Sequence, residues 1–299
     1  MNKRSVNPEA VTLNNGVQMP TIGLGVFQAS PAETVGAVVA AFEEGYRLID
    51  TASAYHNEDG VGEGIRQSGV TRSEIFVTTK LWLRDYGYDE TLRAFDKSLS
   101  RLGLDYLDLY LLHWATRDFD ATVQSFEAAK RLLADGRVRA IGVCNHTIEH
   151  LDELIARTGF VPAVNQVELH PYLSQPDLCV KHKALGIVTE AWAPIGGIHR
   201  YTPGSPVPGG TDLLDHPVIK EAAHANNKTA AQVILRWHHQ HGVVAIPKSV
   251  KASRIAENID IFDFHLSDEQ MVAIDGLNVG GRGGPDPSDI DTHSFAQFD

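Results

Sequence analysis

The sequence contains only two cysteines, Cys144 and Cys179, among its 299 residues. Two cysteines are too few for a disulfide scaffold or a zinc-ligand array, and free thiols suit a reducing compartment. The sequence also lacks an apolar secretion signal near its first residues and any apolar run long enough to cross a membrane. We therefore expect a cytoplasmic protein without a bound metal.

Basic residues are scarce relative to acidic ones. The chain has 26 Lys and Arg against 38 Asp and Glu, which gives a net charge of −12. Because an acidic surface repels nucleic acids and anionic membranes, we expect neither as a partner. A phosphorylated ligand would need a local basic cluster on such a surface.

No linker, charge run or low-complexity segment divides the chain, so we expect a single domain over residues 1–299. Strand and helix patterns alternate along it. In the first unit, Ser30 to Glu33 forms a capping box, Gly45 ends the helix, and Arg47 to Asp50 is a strand. Later strands are predicted at 74–79, 106–112, 138–143, 163–167, 187–191 and 243–246, with helices near 92–102 and 122–133.

Alternating strands and helices indicate an α/β fold with a parallel sheet. We predict a (β/α)8 TIM barrel, with a doubly wound open sheet as the alternative. The barrel is favoured because no glycine-rich dinucleotide fingerprint is present: Gln28 follows Gly23 and Gly25 where a third glycine belongs.

Three further segments complete the predicted architecture. Val11 to Gln18 is an N-terminal β-hairpin with an Asn-Gly turn that would cap the barrel floor. Tyr201 to Thr211 and Leu277 to Ser288 are rich in Pro and Gly, which is typical of binding loops. We expect the C-terminal one to lie over the active site.

Four polar residues follow predicted strand ends: Asp50, Tyr55, Lys80 and His113. In a parallel barrel all strand C-termini point to one face, so these side chains should converge there. A nearby ammonium lowers the pKa of a tyrosine, which is ordinarily about 10, and Lys80 would act in this way on Tyr55. Asp50 would pair with Lys80, and His113 would donate a hydrogen bond to a carbonyl oxygen.

Such a site donates protons and needs a hydride or another nucleophile to complete a reaction. Simpler interpretations exist for each residue alone. Lys80 and Asp50 could form a structural ion pair, and His113 could be a hydrogen-bonded core histidine. The occurrence of all four on one predicted rim favours catalysis.

Three motifs resemble the aldo-keto reductase family. They are Gly45 to Glu58, Thr78 to Trp82, and Leu111 to Trp114. The similarity runs from about Leu13 to the C-terminal tail. It is greatest to the bacterial 2,5-diketo-D-gluconate reductase branch, because Phe27 stands where many other members of the family carry Trp. The resemblance implies that Tyr55 is the general acid, that Lys80 and Asp50 tune it, and that His113 orients the carbonyl.

The resemblance also implies a nicotinamide site. Cys144, Asn145 and Gln166 would hold the carboxamide, and Trp192 would stack on the ring. Cys144 and Ala193 stand where serine is usual in the family, and a thiol is a weak hydrogen-bond donor.

The segment around the 2′-phosphate and adenine is similar to the family as well. Lys248, Ser249, Arg254 and Asn258 would bind there, and two cations with a hydroxyl suit a dianion and favour NADPH over NADH. A solvated surface run is the alternative interpretation.

We therefore predict an NADPH-dependent oxidoreductase that reduces aldehydes and ketones to alcohols, acting as a monomer on small molecules. Phe27, Trp82 and Trp114 would form the apolar substrate wall. A Schiff-base lyase built on Lys80 and a nucleotide-binding barrel without catalysis are the alternatives. His238, His239 and His241 do not suit a metal, since adjacent helical residues point to different faces.

Overall fold

The computed structural model describes residues 9–197 and 207–295. Most of the predicted loop from Tyr201 to Thr211 lies outside the described residues. The described residues contain a barrel of parallel strands, an outer layer of helices, a small hairpin and a long C-terminal segment.

The barrel strands are short and buried. They are β3 (Leu24–Gly25), β4 (Leu48–Asp50), β5 (Phe76–Leu81), β6 (Leu107–Leu112), β7 (Val138–Cys144), β8 (Val164–Glu168), β9 (Val188–Trp192) and β10 (Val244–Ala245). Each strand pairs in parallel with the next one along the chain. The near-continuous apolar runs are typical of strands that are covered on both faces.

The sheet closes on itself where its first and last strands meet. Parallel bridges join Ile22 to Ala245 and Gly25 to Lys248, and the Gly23 N–H donates to the Ala245 carbonyl at 2.9 Å. An open sheet would leave these two strands apart. The predicted (β/α)8 barrel is confirmed, and the doubly wound alternative is wrong.

The helices of the described residues follow the predicted alternation. They are α1 (Pro31–Glu43), α2 (Glu58–Ser68), α3 (Tyr88–Leu102), α4 (Phe119–Ala134), α5 (Ile148–Thr158), α6 (Pro176–Leu185), α7 (Pro217–Asn226), α8 (Ala230–Gln240), α9 (Ala252–Ile259) and α10 (Asp268–Asp275). The predicted capping box at the start of α1 is present, because the Glu33 N–H donates to Ser30 Oγ and the Ser30 N–H donates to the Glu33 carboxylate.

The N-terminal hairpin covers the amino end of the barrel, as predicted. Its strands are β1 (Ala10–Thr12) and β2 (Gln18–Pro20). Asn14 and Asn15 at its tip donate to the carbonyls of Pro162 and Arg139, which lie at the starts of β8 and β7. The hairpin thereby closes the end opposite to the strand C-termini.

The turn within this hairpin contains the predicted Asn15-Gly16 pair, in a loop longer than the tight two-residue type. Of its two central residues only Gly16 has a positive φ, of 86°, whereas the tight turn requires both. The Leu13 N–H donates to the Val17 carbonyl across a longer loop, and Asn15 Oδ1 accepts from the Val17 N–H. The side-chain bonds of Asn15 hold it in this wider loop.

The barrel interior is apolar at the amino ends of the strands and polar at their carboxyl ends. Its lower part is apolar, with Leu48, Phe76, Leu109 and Val164 packed on the hairpin residue Met19. Toward the strand C-termini the interior becomes polar; the buried residues there are Asp50, Lys80, Gln166, Glu168 and Glu190. The fold thus concentrates buried charge at one end.

None of the helices within the described ranges is both long and apolar enough to span a membrane.

Candidate active site

The C-terminal ends of β4, β5 and β6 bring together the four residues singled out in the sequence. Asp50 ends β4, Lys80 lies one residue before the end of β5, and His113 follows β6. Tyr55 closes a single 3-10 turn after β4. The predicted convergence of these side chains on one rim is present.

Lys80 is fully buried and holds the group together. Its Nζ donates to Asp50 Oδ1 at 2.6 Å, to the Thr51 carbonyl at 2.9 Å and to the Tyr55 hydroxyl at 3.4 Å. Burial opposes the charged form of Lys80, but Asp50 and Tyr55 outweigh it and raise the pKa of Lys80. Lys80 is therefore an ammonium at neutral pH and a poor Schiff-base nucleophile.

The pKa of Tyr55 is raised to about 12, because burial outweighs the opposing effect of Lys80 and Asp50 adds to the rise. Lys80 acts in the predicted direction and lowers the pKa of Tyr55, but burial, which residue types alone do not reveal, outweighs this effect. The reason is that burial penalises the phenolate more than one ammonium stabilises it. Tyr55 consequently keeps its proton at neutral pH.

His113 is not a satisfied core histidine. Its ring lies 5.1 Å from Trp82 and 5.8 Å from Tyr55 between centroids, and its Nδ1 is buried without a hydrogen-bond partner in the described part of the chain. Burial, with a further contribution from Lys80, holds the pKa of His113 well below its usual range. A neutral imidazole carries one N–H, which is suited to a carbonyl oxygen.

Aromatic side chains surround this polar group. Phe27, which is 36% exposed, packs 5.0 Å from the Tyr55 ring, whereas Trp82 and Trp114 are buried. Phe295 from the C-terminal segment lies over both tryptophans, with centroid distances of 5.9 and 5.6 Å. No sequence pattern predicts a role for Phe295, since this residue stands in a polar tail without periodicity.

The residues predicted to hold the nicotinamide lie beside this pocket. Asn145 follows β7 with a φ of 57°, a left-handed conformation that asparagine tolerates. Its Nδ2 donates to the His113 carbonyl, and its Oδ1 accepts from Trp192 Nε1 at 2.7 Å. These bonds fix the orientation of the Asn145 amide and leave it one N–H.

Gln166 is fixed in the same way by two carboxyl groups. Its Nε2 donates to Asp50 Oδ2 and to Glu190 Oε2, both at 2.8 Å. Burial and the neighbouring Asp50 raise the pKa of Glu190 to about 8, against smaller opposing effects of Gln166 and Lys80. Since both N–H groups of the amide are used, its oxygen is left as an acceptor. The sequence did not predict a role for Glu190.

Cys144 lies deeper than its predicted partners. Its side chain is fully buried, and burial raises the pKa of its thiol well above the usual value. Asn145 and Gln166, at 4% and 2% exposed, keep a small accessible surface that Cys144 lacks. The two amides are therefore the better placed carboxamide ligands.

The predicted phosphate site lies at the barrel seam. Lys248 is partly buried, Ser249 and Asn258 are buried, and Arg254 is exposed on the first turn of α9. Burial lowers the pKa of Lys248, with Glu33 opposing. No side chain caps the N-terminus of α9, where backbone N–H groups favour a phosphate. These residues fit a dianionic 2′-phosphate.

The three neighbouring histidines do not form a metal site, and no group of metal-ligating side chains occurs in residues 9–197 or 207–295. The His238 ring bonds to the Pro194 carbonyl, His239 lies 3.4 Å from Glu9, and His241 bonds to Asp275.

Comparison with known proteins gives the class. Residues 21–279 match the aldo/keto reductase family. The chain is similar to morphine 6-dehydrogenase of Pseudomonas putida, with 61% identity over 96% of this chain and 97% of the relative. It is 50% identical to glyoxal reductase of Bacillus subtilis, over 94% and 97% of the two chains. Among solved structures, an aldo-keto reductase of Bombyx mori in complex with NADP superposes with a TM-score of 0.88 at 34% identity, covering 96% of this chain and 99% of that one.

The chain belongs to the aldo/keto reductase family. The family and the bacterial branch predicted from the sequence are confirmed, as is the prediction of an oxidoreductase enzyme.

Proposed function

We propose that this protein reduces the carbonyl group of aldehydes and ketones to an alcohol, with NADPH as the hydride source and Tyr55 as the proton donor. The observation that carries these roles is the position of Lys80 Nζ, 2.6 Å from Asp50 Oδ1 and 3.4 Å from the Tyr55 hydroxyl. The relatives named above include a glyoxal reductase and an NADP complex, in agreement with this chemistry.

Tyr55 and His113 divide the work on the carbonyl oxygen. His113 donates a hydrogen bond that orients the oxygen, and Tyr55 transfers its proton as negative charge develops there. The phenolate left on Tyr55 is stabilised by the Lys80 ammonium, which Asp50 keeps charged. A pKa of about 12 for Tyr55 means that the residue starts each cycle protonated.

Bound NADPH supplies the hydride in this site. The Gln166 oxygen and the remaining Asn145 N–H would hold its carboxamide, Trp192 would stack on the ring, and Cys144 would pack beneath. Lys248, Ser249, Arg254 and Asn258 would bind the phosphate and adenine. Phe27, Trp82 and Trp114 would shape the substrate wall.

We also propose that the chain acts in the cytoplasm as a monomer, with residues 1–299 forming one domain. Small carbonyl compounds are the proposed partners. The buried ammonium of Lys80 argues against the Schiff-base alternative, and retention of all four residues of the proton-donor group argues against a barrel without catalysis.

The test is NADPH oxidation followed by absorbance with glyoxal, aromatic aldehydes, diketones and keto-sugars, for the wild type and Tyr55→Phe. Loss of the proton donor should lower kcat by on the order of a hundredfold or more while NADPH binding, measured by fluorescence quenching, is retained. Tyr88→Phe on the exposed start of α3 is the matched control and should behave as wild type. Normal turnover by Tyr55→Phe would refute the assigned role.

A further inference from the structure

The C-terminal strap, defined here as residues 279–295, crosses the open face of the barrel and ends at Phe295 over Trp82 and Trp114. Its first residues lie against Tyr172, whose carbonyl accepts the N–H groups of Val279 and Gly281. How this strap is held therefore bears directly on the shape of the substrate pocket.

The principal polar anchor of the strap is Glu168, the last residue of β8. Its side chain is fully buried. Oε1 accepts the Gly283 N–H at 2.7 Å, and Oε2 accepts the Gly284 N–H at 2.9 Å. His170 Nε2 lies 3.1 Å from Oε1, and Arg282 Nη1 lies 3.9 Å from Oε2. A carboxylate with both oxygens bonded to strap backbone is a strong and directional attachment.

The strap has a second attachment, which lies closer to Phe295 along the chain. Beyond the anchor it spans a cavity of about 330 Å³, whose wall includes Arg282 and Pro287 on the strap side and Leu173 and Leu178 below. A second polar attachment joins Asp289 to Arg117, and both of those side chains are well exposed. That exposed ion pair contributes little, but the Arg117 N–H also donates to the Ile290 carbonyl at 2.8 Å, and the Ile290 side chain is buried. Glu168 is the buried charged group among these attachments.

The anchor also brings the strap against the nicotinamide platform. A Cβ at Gly284 would approach Trp192 Cη2 to 2.6 Å and Glu168 Oε2 to 3.1 Å. Only glycine lets the backbone approach Trp192 this closely.

We propose that Glu168 is a positioning residue that determines substrate preference: it holds the strap so that Phe295 closes the aromatic pocket, and it acts on substrate through Phe295. This inference rests on the proposed carbonyl reductase function. Loosening the anchor should affect substrates that reach Phe295 and spare small ones, because small carbonyls are held by Tyr55 and His113 alone.

The experiment compares wild type, Glu168→Gln, Phe295→Ala and the double variant with 4-nitrobenzaldehyde and with glyoxal. Glu168→Gln keeps the shape of the side chain but removes its charge. We expect KM for 4-nitrobenzaldehyde to rise about tenfold, the scale of a lost aromatic contact with some loss of order. KM for glyoxal, kcat and the NADPH dissociation constant should change less than about twofold.

The double variant separates positioning from general structural damage. If Glu168 acts through Phe295, the two changes in KM will not add, and the double variant will match Phe295→Ala. Additive effects, or an equal rise for glyoxal, would overturn the proposal. Asp289→Asn at the exposed attachment is the matched control and should leave both KM values unchanged.

A readout independent of turnover keeps the anchor testable. Amide hydrogen exchange at Gly283 and Gly284 should accelerate at least tenfold in Glu168→Gln relative to the helices, and unchanged protection would refute the anchor. Should Glu168→Gln not fold, Glu168→Asp keeps the charge but draws the carboxylate back from the Gly283 and Gly284 N–H groups, and the same pattern is expected. An inactive wild type would refute the carbonyl reductase function. The exchange result tests only whether Glu168 holds the strap, and it does not depend on that function.

Discussion

Glu190 offers a quantitative test of the buried charge at the C-terminal end of the barrel. This carboxyl is fully buried, faces Gln166, Asp50 and Lys80, and has a pKa raised from 4.5 to about 8 by burial and by Asp50. Between pH 4.5 and about pH 8 the Glu190 carboxyl is protonated in the folded state and ionised in the unfolded state. Stability therefore falls as the pH rises through this window, and the full penalty is present above pH 8.

The change to make is Glu190→Gln, which keeps the acceptor for Gln166 and removes the ionisation. A pKa rise from 4.5 to about 8 corresponds to at most about 5 kcal/mol, since each unit is worth about 1.4 kcal/mol. The variant should gain stability relative to wild type progressively from pH 5 to 8, with little difference near pH 4.5 and a constant difference above pH 8.

Urea denaturation at a series of pH values measures this difference as a change in the free energy of unfolding. Glu74→Gln, at an exposed position, is the matched control and should give a curve parallel to wild type. Parallel curves for wild type and Glu190→Gln would refute the reasoning, since they would mean that Glu190 is ionised in the folded protein at neutral pH.

Three further outcomes are expected. Arg254→Ala should raise KM for NADPH about tenfold and leave KM for NADH unchanged, because only NADPH carries the 2′-phosphate; equal effects on both cofactors would contradict the assignment. Lys80→Met should cost about 3–5 kcal/mol in urea denaturation, because it leaves Asp50 buried without its partner, and it should abolish most turnover. Phe295→Ala should raise KM for aromatic aldehydes more than for glyoxal in steady-state kinetics, and an unchanged ratio would show that the strap does not reach the substrate.

Local patterns in the sequence were sufficient for the barrel and for the four residues of the proton-donor group. The capping box at Ser30 and the alternation of apolar runs are short-range signals, and parallel topology then brings all strand ends to one face. This is why the sequence alone places Asp50, Lys80 and His113 together.

The features that the sequence did not predict depend on contacts between distant segments or on a balance of opposing effects. Phe295 reaches Trp82 only because the strap crosses the barrel, and no periodic pattern encodes that path. The net pKa of Tyr55 depends on burial, which outweighs Lys80 and cannot be judged from residue types. The Asn-Gly pair predicted the place of the hairpin turn but not the length of its loop, in which Asn15 bonds to Arg139 in another part of the chain.

The closure of the barrel between Ile22 and Ala245 makes the cofactor site a product of complete folding. This seam joins segments that are more than 220 residues apart in the chain, and we expect such contacts to form late because closing long loops costs the most entropy. Lys248 bridges to Gly25 across the same seam, so a ligand held there binds only the finished barrel. Added NADPH should therefore slow unfolding and protect the seam, and we expect the cell's supply of this cofactor to influence how long each molecule of the protein survives.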